Sequence, residues 1–76
     1  MYYILTRKDC EYCDKVKQLL VDERVGYSET NILADPVIIK LMIVAGLKTV
    51  PQIWYYNDYI GGYNELQDHL SSSSED

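Results

Sequence analysis

No apolar run in this sequence approaches the roughly 20 residues that a membrane-spanning helix needs. Its start also lacks the basic stretch and small-residue cleavage site of a secretory leader; Met1 leads straight into Tyr2-Tyr3-Ile4-Leu5, a strand-like run. Positive charge is scarce too, with 7 Lys and Arg against 12 Asp and Glu and a net charge of −5. A phosphate-binding surface needs clustered Lys and Arg, so nucleic acid is excluded as a partner. Cysteine is equally sparse. The chain has 2, Cys10 and Cys13, where a disulfide-stapled secreted mini-protein usually carries four or more. A structural zinc site needs four ligands, and His69, far along the chain, is the one histidine that could join the two thiols. These absences lead us to expect a soluble, cytoplasmic, monomeric protein with no metal and no membrane or nucleic-acid partner.

What is present is enough for one compact domain. The chain has 76 residues, 47% of them hydrophobic, although a domain this small buries only about 60% of its unfolded surface. Tyr2 to Thr6 reads as a buried strand. After the polar Arg7 to Asp9, Cys13, Val16, Leu19 and Leu20 recur at helical spacing, and Gly26 offers a stop. Tyr27 to Ile32 reads as a second strand. Asp35-Pro36 has the form of a helix start, an N-cap acceptor followed by proline, and the helix should run to about Ala45. Thr49-Val50-Pro51 introduces a third strand, Gln52 to Tyr56. Asn57-Asp58 signals a turn, Tyr59-Ile60 a return strand, and a last helix covers about Asn64 to Leu70. The order is βαβαββα, an α/β domain over residues 1–70 with a four-stranded mixed sheet and helices on both faces. Residues 71–76 read as a disordered polar tail.

The cysteine pair carries the chemistry. A nucleophilic sulfur must be ionised, exposed and close to a second thiol. Cys10 falls at the strand-to-helix junction, where unpaired N–H groups and the positive end of the helix dipole favour a thiolate. Arg7 and Lys8 act in the same direction. Cys13 lies one turn on, within disulfide reach and deeper in the helix. Cys10 should therefore attack and Cys13 resolve the mixed disulfide.

Three segments carry a resemblance. Thr6-Arg7-Lys8-Asp9-Cys10-Glu11-Tyr12-Cys13 resembles the glutaredoxin active site, usually built on Cys-Pro-Tyr-Cys. Thr49-Val50-Pro51-Gln52-Ile53 is similar to that family's Thr-Val-Pro segment, and Gly61-Gly62-Tyr63-Asn64-Glu65-Leu66 to its Gly-Gly motif. The likeness covers residues 2–70, in the family's order and spacing. It implies a thioredoxin-like fold and a dithiol oxidoreductase that takes electrons from glutathione. Such enzymes reduce protein disulfides and glutathione mixed disulfides, and commonly supply ribonucleotide reductase. The resemblance also implies a cis bond at Pro51, pairing of the Val50 backbone with glutathione, and a pocket wall from Thr49 and Tyr12. Arg7 would meet the glycyl carboxylate. Gly61 and Gly62 would receive the γ-glutamyl carboxylate. Asn64, which can cap the last helix, would touch the same end of the ligand, with Glu65 standing where many relatives have Asp.

Two further departures bear on function. Glu11 replaces the usual proline, and places a negative charge beside Cys10. Ile38 stands where relatives often carry Gln or Arg, which leaves Lys48 as a possible substitute donor. Two other readings share the motifs: a redoxin reduced by thioredoxin reductase, and a dimer bridging an iron–sulfur cluster through Cys10 and glutathione. The latter is mostly associated with Cys-Gly-Phe-Ser, from which Tyr12-Cys13 departs. Finally, Val37 to Val44 is apolar at every position but Lys40, whereas a surface helix keeps a polar face. Some of Val37, Ile38, Met42 and Ile43 should therefore form an exposed patch that docks a protein partner.

Overall fold

The computed structural model describes residues 1–73. Its elements are β1 (Tyr2–Thr6), α1 (Glu11–Asp22), β2 (Tyr27–Asn31), a 3-10 turn (Ile32–Ala34), α2 (Pro36–Val44), β3 (Gln52–Tyr55), β4 (Asp58–Gly61) and α3 (Tyr63–Ser73). The strands form one sheet in the order β2-β1-β3-β4. β1 runs parallel to β2 and antiparallel to β3, and β4 returns antiparallel to β3. This is the mixed four-stranded sheet of the thioredoxin-like fold.

Strand alternation divides the two faces. Tyr2 and Ile4 of β1 and Ile53 of β3 pack with Val16 and Leu20 of α1 and Leu66 and Leu70 of α3, forming the buried core. Tyr3, Leu5 and Trp54 turn to the opposite face, where α2 supplies Ile38, Leu41 and Met42. Two helices thus cover one face and a single short helix the other. α2 cannot bury its whole apolar circumference. Val37, Leu41, Ile43 and Val44 are exposed, Val44 at 86%, while Met42 at 6% is buried. Of the four residues expected in the patch, Val37 and Ile43 are exposed, Ile38 is half-buried and Met42 faces inward.

Several boundaries differ from the sequence expectation for local reasons. α1 ends before Gly26, because Arg24 takes the left-handed conformation (φ 58°) and Val25 N–H closes onto Leu20 O at 3.2 Å. β2 stops one residue early because the Asn31 side chain accepts the Leu33 N–H at 2.9 Å, opening the 3-10 turn. The hairpin turns at Tyr56-Asn57, with Tyr56 at φ 54°, so that Asp58 pairs with Tyr55. α3 begins one residue earlier than expected and runs to Ser73. Residues 71–73, expected in the tail, are therefore helical; the rest of that tail, 74–76, lies outside the described residues.

One polar network ties the cysteine-bearing helix to the sheet. The buried Thr6 hydroxyl donates to Glu29 Oε2 at 2.6 Å, and Lys17 of α1 reaches the same oxygen at 3.2 Å and Asp14 at 3.7 Å. The Thr6 hydrogen bond first, and then Lys17, hold the Glu29 carboxyl below its ordinary 4.5 against the opposing effect of burial. A carboxylate with a lowered folded-state pKa contributes stability above its unfolded value, and loses it as pH falls through the folded one. Glu29→Gln should therefore flatten the acid limb of stability below about pH 4.5 in urea titrations. An unchanged acid limb in the variant would contradict this role for Glu29.

Candidate active site

β1 ends at the buried Thr6, and the chain then turns through Arg7, Lys8 and Asp9. Asp9 holds φ 60°, a left-handed conformation that Asp tolerates better than most residues. The turn delivers Cys10 in extended conformation as the N-cap of α1. There its sulfur accepts the Cys13 backbone N–H at 3.1 Å, as a Ser or Asp oxygen would at such a cap. Asp14 N–H donates to Cys10 O at 3.2 Å and closes the first turn.

Cys10 and Cys13 form a disulfide with their Cα atoms 5.2 Å apart. Cys10 is half-buried and Cys13 only 1% exposed. Of the two residues, Cys10 is therefore the more accessible to an incoming sulfur. The Val50–Pro51 bond is cis, and Val50 O lies 3.9 Å from Cys10 Sγ.

These groups line a groove of about 350 Å³ in which Arg7, Lys48, Thr49 and Val50 surround Cys10, with Ile32 and Met42 as its apolar part. Arg7 and Lys48 bring two cations to it, offset by Asp9. Ile38 is not in this lining; it belongs to a separate groove on the far side of Met42.

The remaining expected residues gather at the start of α3. Tyr12 is 53% exposed; its ring lies 5.8 Å from that of Tyr63, with the Lys15 ammonium 4.9 Å from its centroid. Lys15 also reaches Glu11 at 3.8 Å, so the charge beside Cys10 has a counter-ion. Pro51 is buried, and its carbonyl lies 3.7 Å from where a Cβ on Gly62 would stand. Gly61 has φ +123°, and any Cβ there would come within 2.8 Å of Glu65.

Two expectations at this end need correction. The Gly62 N–H, expected to be open to a ligand carboxylate, already donates to Glu65 Oε1 at 2.7 Å, half of a capping box. Asn64 does not cap the helix: Leu66 N–H bonds Gly62 O at 3.0 Å, which makes Gly62 the cap and puts Asn64 inside the first turn.

The structure adds two residues that sequence reasoning missed. Gln52, 6% exposed, donates through Nε2 to Thr49 O at 2.9 Å and Thr49 Oγ1 at 3.3 Å. Its Oε1 accepts from the Tyr59 hydroxyl. The Thr49-Val50-Pro51 loop is thus fixed by a fully bonded amide. The available signal was an amide at the first position of an otherwise apolar strand.

The glutaredoxin family profile matches residues 1–60. Glutaredoxin of Pseudomonas aeruginosa is 38% identical over 64 residues, spanning 83% of this chain and 76% of that protein. Hybrid peroxiredoxin hyPrx5 of Haemophilus influenzae is 34% identical over 68 residues, 90% of this chain but 28% of the longer protein. Among solved structures, glutaredoxin 1 of Francisella tularensis complexed with cacodylate superposes with a TM-score of 0.78 at 25% identity, covering 99% of this chain and 96% of that one. A buckwheat glutaredoxin–glutathione complex gives 0.79 at 21% identity, over 95% of this chain and 69% of that one. The chain belongs to the glutaredoxin family. With its paired cysteines, that membership supports thiol–disulfide oxidoreductase chemistry. Among the described residues, no helix is long and apolar enough to cross a membrane.

Tyr59→Phe should leave the Gln52 carbonyl oxygen without its donor and cost about 1 kcal/mol. Denaturant midpoints would check this, and a variant as stable as the parent would contradict the role given to Tyr59.

Proposed function

We propose that this protein is a dithiol glutaredoxin that reduces protein disulfides and glutathione mixed disulfides with electrons from glutathione. The observation that carries the reading is a half-exposed Cys10 sulfur at a helix N-cap, in a groove holding Arg7, Lys48 and the Val50 backbone.

In the reductive half, the Cys10 thiolate attacks a substrate disulfide and expels one substrate thiolate. The Cys13 thiolate then attacks Cys10 Sγ and expels the second, leaving the Cys10–Cys13 disulfide and two substrate thiols that take protons from solvent. Regeneration reverses the roles. One glutathione thiolate opens the disulfide at Cys10 and frees Cys13. A second takes the glutathione off Cys10 as glutathione disulfide, so two glutathiones supply the two electrons. Arg7 and Lys48 would hold the glycyl carboxylate. The Val50 backbone would pair with the cysteinyl unit, against a wall of Thr49, Pro51 and Tyr12. The γ-glutamyl carboxylate would meet the first-turn N–H groups of α3, which have no intrahelical acceptor, next to Gly61, Gly62, Asn64 and Glu65. The cytoplasm suits such a thiol enzyme, and ribonucleotide reductase is a fitting protein substrate.

One observation favours a second reading. Glu65 occupies the Gly62 N–H and brings a negative charge to the place a carboxylate would use. A redoxin reduced by thioredoxin reductase would need no such site. Turnover with glutathione and glutathione reductase, set against turnover with thioredoxin reductase, separates the two.

Cys10→Ser should abolish reduction of every disulfide. Cys13→Ser should still clear a glutathione mixed disulfide, but fail on a protein disulfide that needs the second thiol. Wild-type activity in Cys10→Ser would end this mechanism. Arg7→Ala with Lys48→Ala should raise KM for a glutathionylated peptide about fivefold, the size of a solvent-accessible ion pair. An unchanged KM would remove both cations from the site.

A further inference from the structure

The groove on the far side of Met42 is a feature that the exchange chemistry leaves unused. It has a volume of about 430 Å³ and lies between α2 and the outer sheet face, lined by Leu41, Leu47, Trp54 and Tyr56 among others. Met42 lines both this groove and the one around Cys10, so the two are separated by one side chain. Beyond it the apolar surface continues over Val37, Ile43 and Val44, all exposed.

Charge is segregated in the same way. Of the 12 acidic residues, none falls between Pro36 and Asn57, a stretch that contains Lys40 and Lys48. The chain as a whole carries −5, so this face is the part of an acidic protein able to receive acidic chain without repulsion.

We propose that this groove is where the polypeptide of a disulfide-bearing protein substrate docks, as an acidic segment whose large apolar side chain enters the groove while its cysteine reaches Cys10. The proposal rests on the thiol–disulfide exchange described above, and it names the kind of polypeptide that exchange prefers. An extended chain advances about 3.3 Å per residue, so the apolar side chain lies only a few residues from the reacting cysteine. A second copy of this chain is a poorer occupant. A two-fold contact uses the same patch on both sides and would set Lys40 and Lys48 of each copy against those of the other.

The test uses protein reduced beforehand with dithiothreitol and desalted, so that glutathione plays no part. Three peptides, each with one cysteine as a mixed disulfide with 2-mercaptoethanol, differ in the residues that follow: acidic with a leucine, basic with a leucine, and acidic with serine for leucine. Hydroxyethyl disulfide serves as the small substrate. The acidic leucine peptide should react about tenfold faster than the serine peptide, the effect of half-burying one large apolar side chain. It should also react faster than the basic leucine peptide, which Lys40 and Lys48 repel. The double variant Leu41→Ser, Tyr56→Asn changes two exposed positions, and Asn suits the left-handed backbone at 56. It should lose the leucine preference and keep the parent's rate on hydroxyethyl disulfide. Equal rates for the three peptides, or a preference that survives the double variant, would overturn the proposal. So would a parent protein that sediments as a dimer and is made monomeric by Leu41→Ser, since a second copy would then cover the groove. If the reduced parent fails on hydroxyethyl disulfide as well, the exchange reading falls and the docking proposal with it; failure confined to peptide selectivity removes the docking proposal alone.

Discussion

The Cys13 backbone N–H donates to the Cys10 sulfur across the first turn of α1, and most of the architecture serves that contact. An N–H at a helix start has no intrahelical acceptor, so it is available to a sulfur, and it favours the sulfur's anionic form. The contact requires the chain to leave β1, reverse within a few residues and enter a helix at Cys10. The left-handed Asp9 makes that reversal. The helix must also be held in place while its end is open to solvent. Val16 and Leu20 anchor it in the core, and Lys17 bonds to Glu29, itself tied to Thr6 at the end of β1. The same turn that leaves Cys10 half-buried buries Cys13, so the difference in access between the two follows from where the helix begins.

The two sheet faces solve different problems. The α1/α3 face carries the buried core cluster. α2, with nine residues, covers the other face incompletely and leaves an apolar surface beside the reactive sulfur. Acidic residues surround this surface in sequence without entering it. A domain of this size has little surface to spare, and a contiguous apolar area next to a reactive group has an evident use in recognition.

Much of this was legible in the sequence, for identifiable reasons. β1 has the bounds its aromatic and aliphatic run suggested, and Asp35-Pro36 starts α2 as its capping chemistry required. The helical spacing of Cys10 and Cys13 placed them within disulfide reach, and the two are bonded in the structure. Two of the missed boundaries share one cause: non-glycine residues at positive φ. Arg24 ends α1 and Tyr56 turns the hairpin where a reader looks for Gly or Asn. On α2, an almost wholly apolar sequence has no period from which to choose a face, so Met42 could not be told from Leu41. Glu65 and Gln52 were legible as polar side chains but not in their partners. Each acts by bonding a backbone group, Gly62 N–H in one case and Thr49 O in the other. Such partners are set by tertiary geometry, and side-chain identity does not reveal them.

The central claim is that Cys10 holds glutathione in the groove formed by Arg7, Lys48, Thr49 and Val50. The most direct measurement is an amide NMR comparison of the Cys13→Ser protein, free and as its glutathione mixed disulfide. The expected result is one glutathione per chain on Cys10. The largest shifts should fall at Arg7, Thr49, Val50 and the first turn of α3, with the outer positions of α2, Val37 and Val44, unmoved. A stable adduct whose shifts stay at Cys10 and its immediate neighbours, leaving Val50 and the start of α3 unchanged, would contradict it.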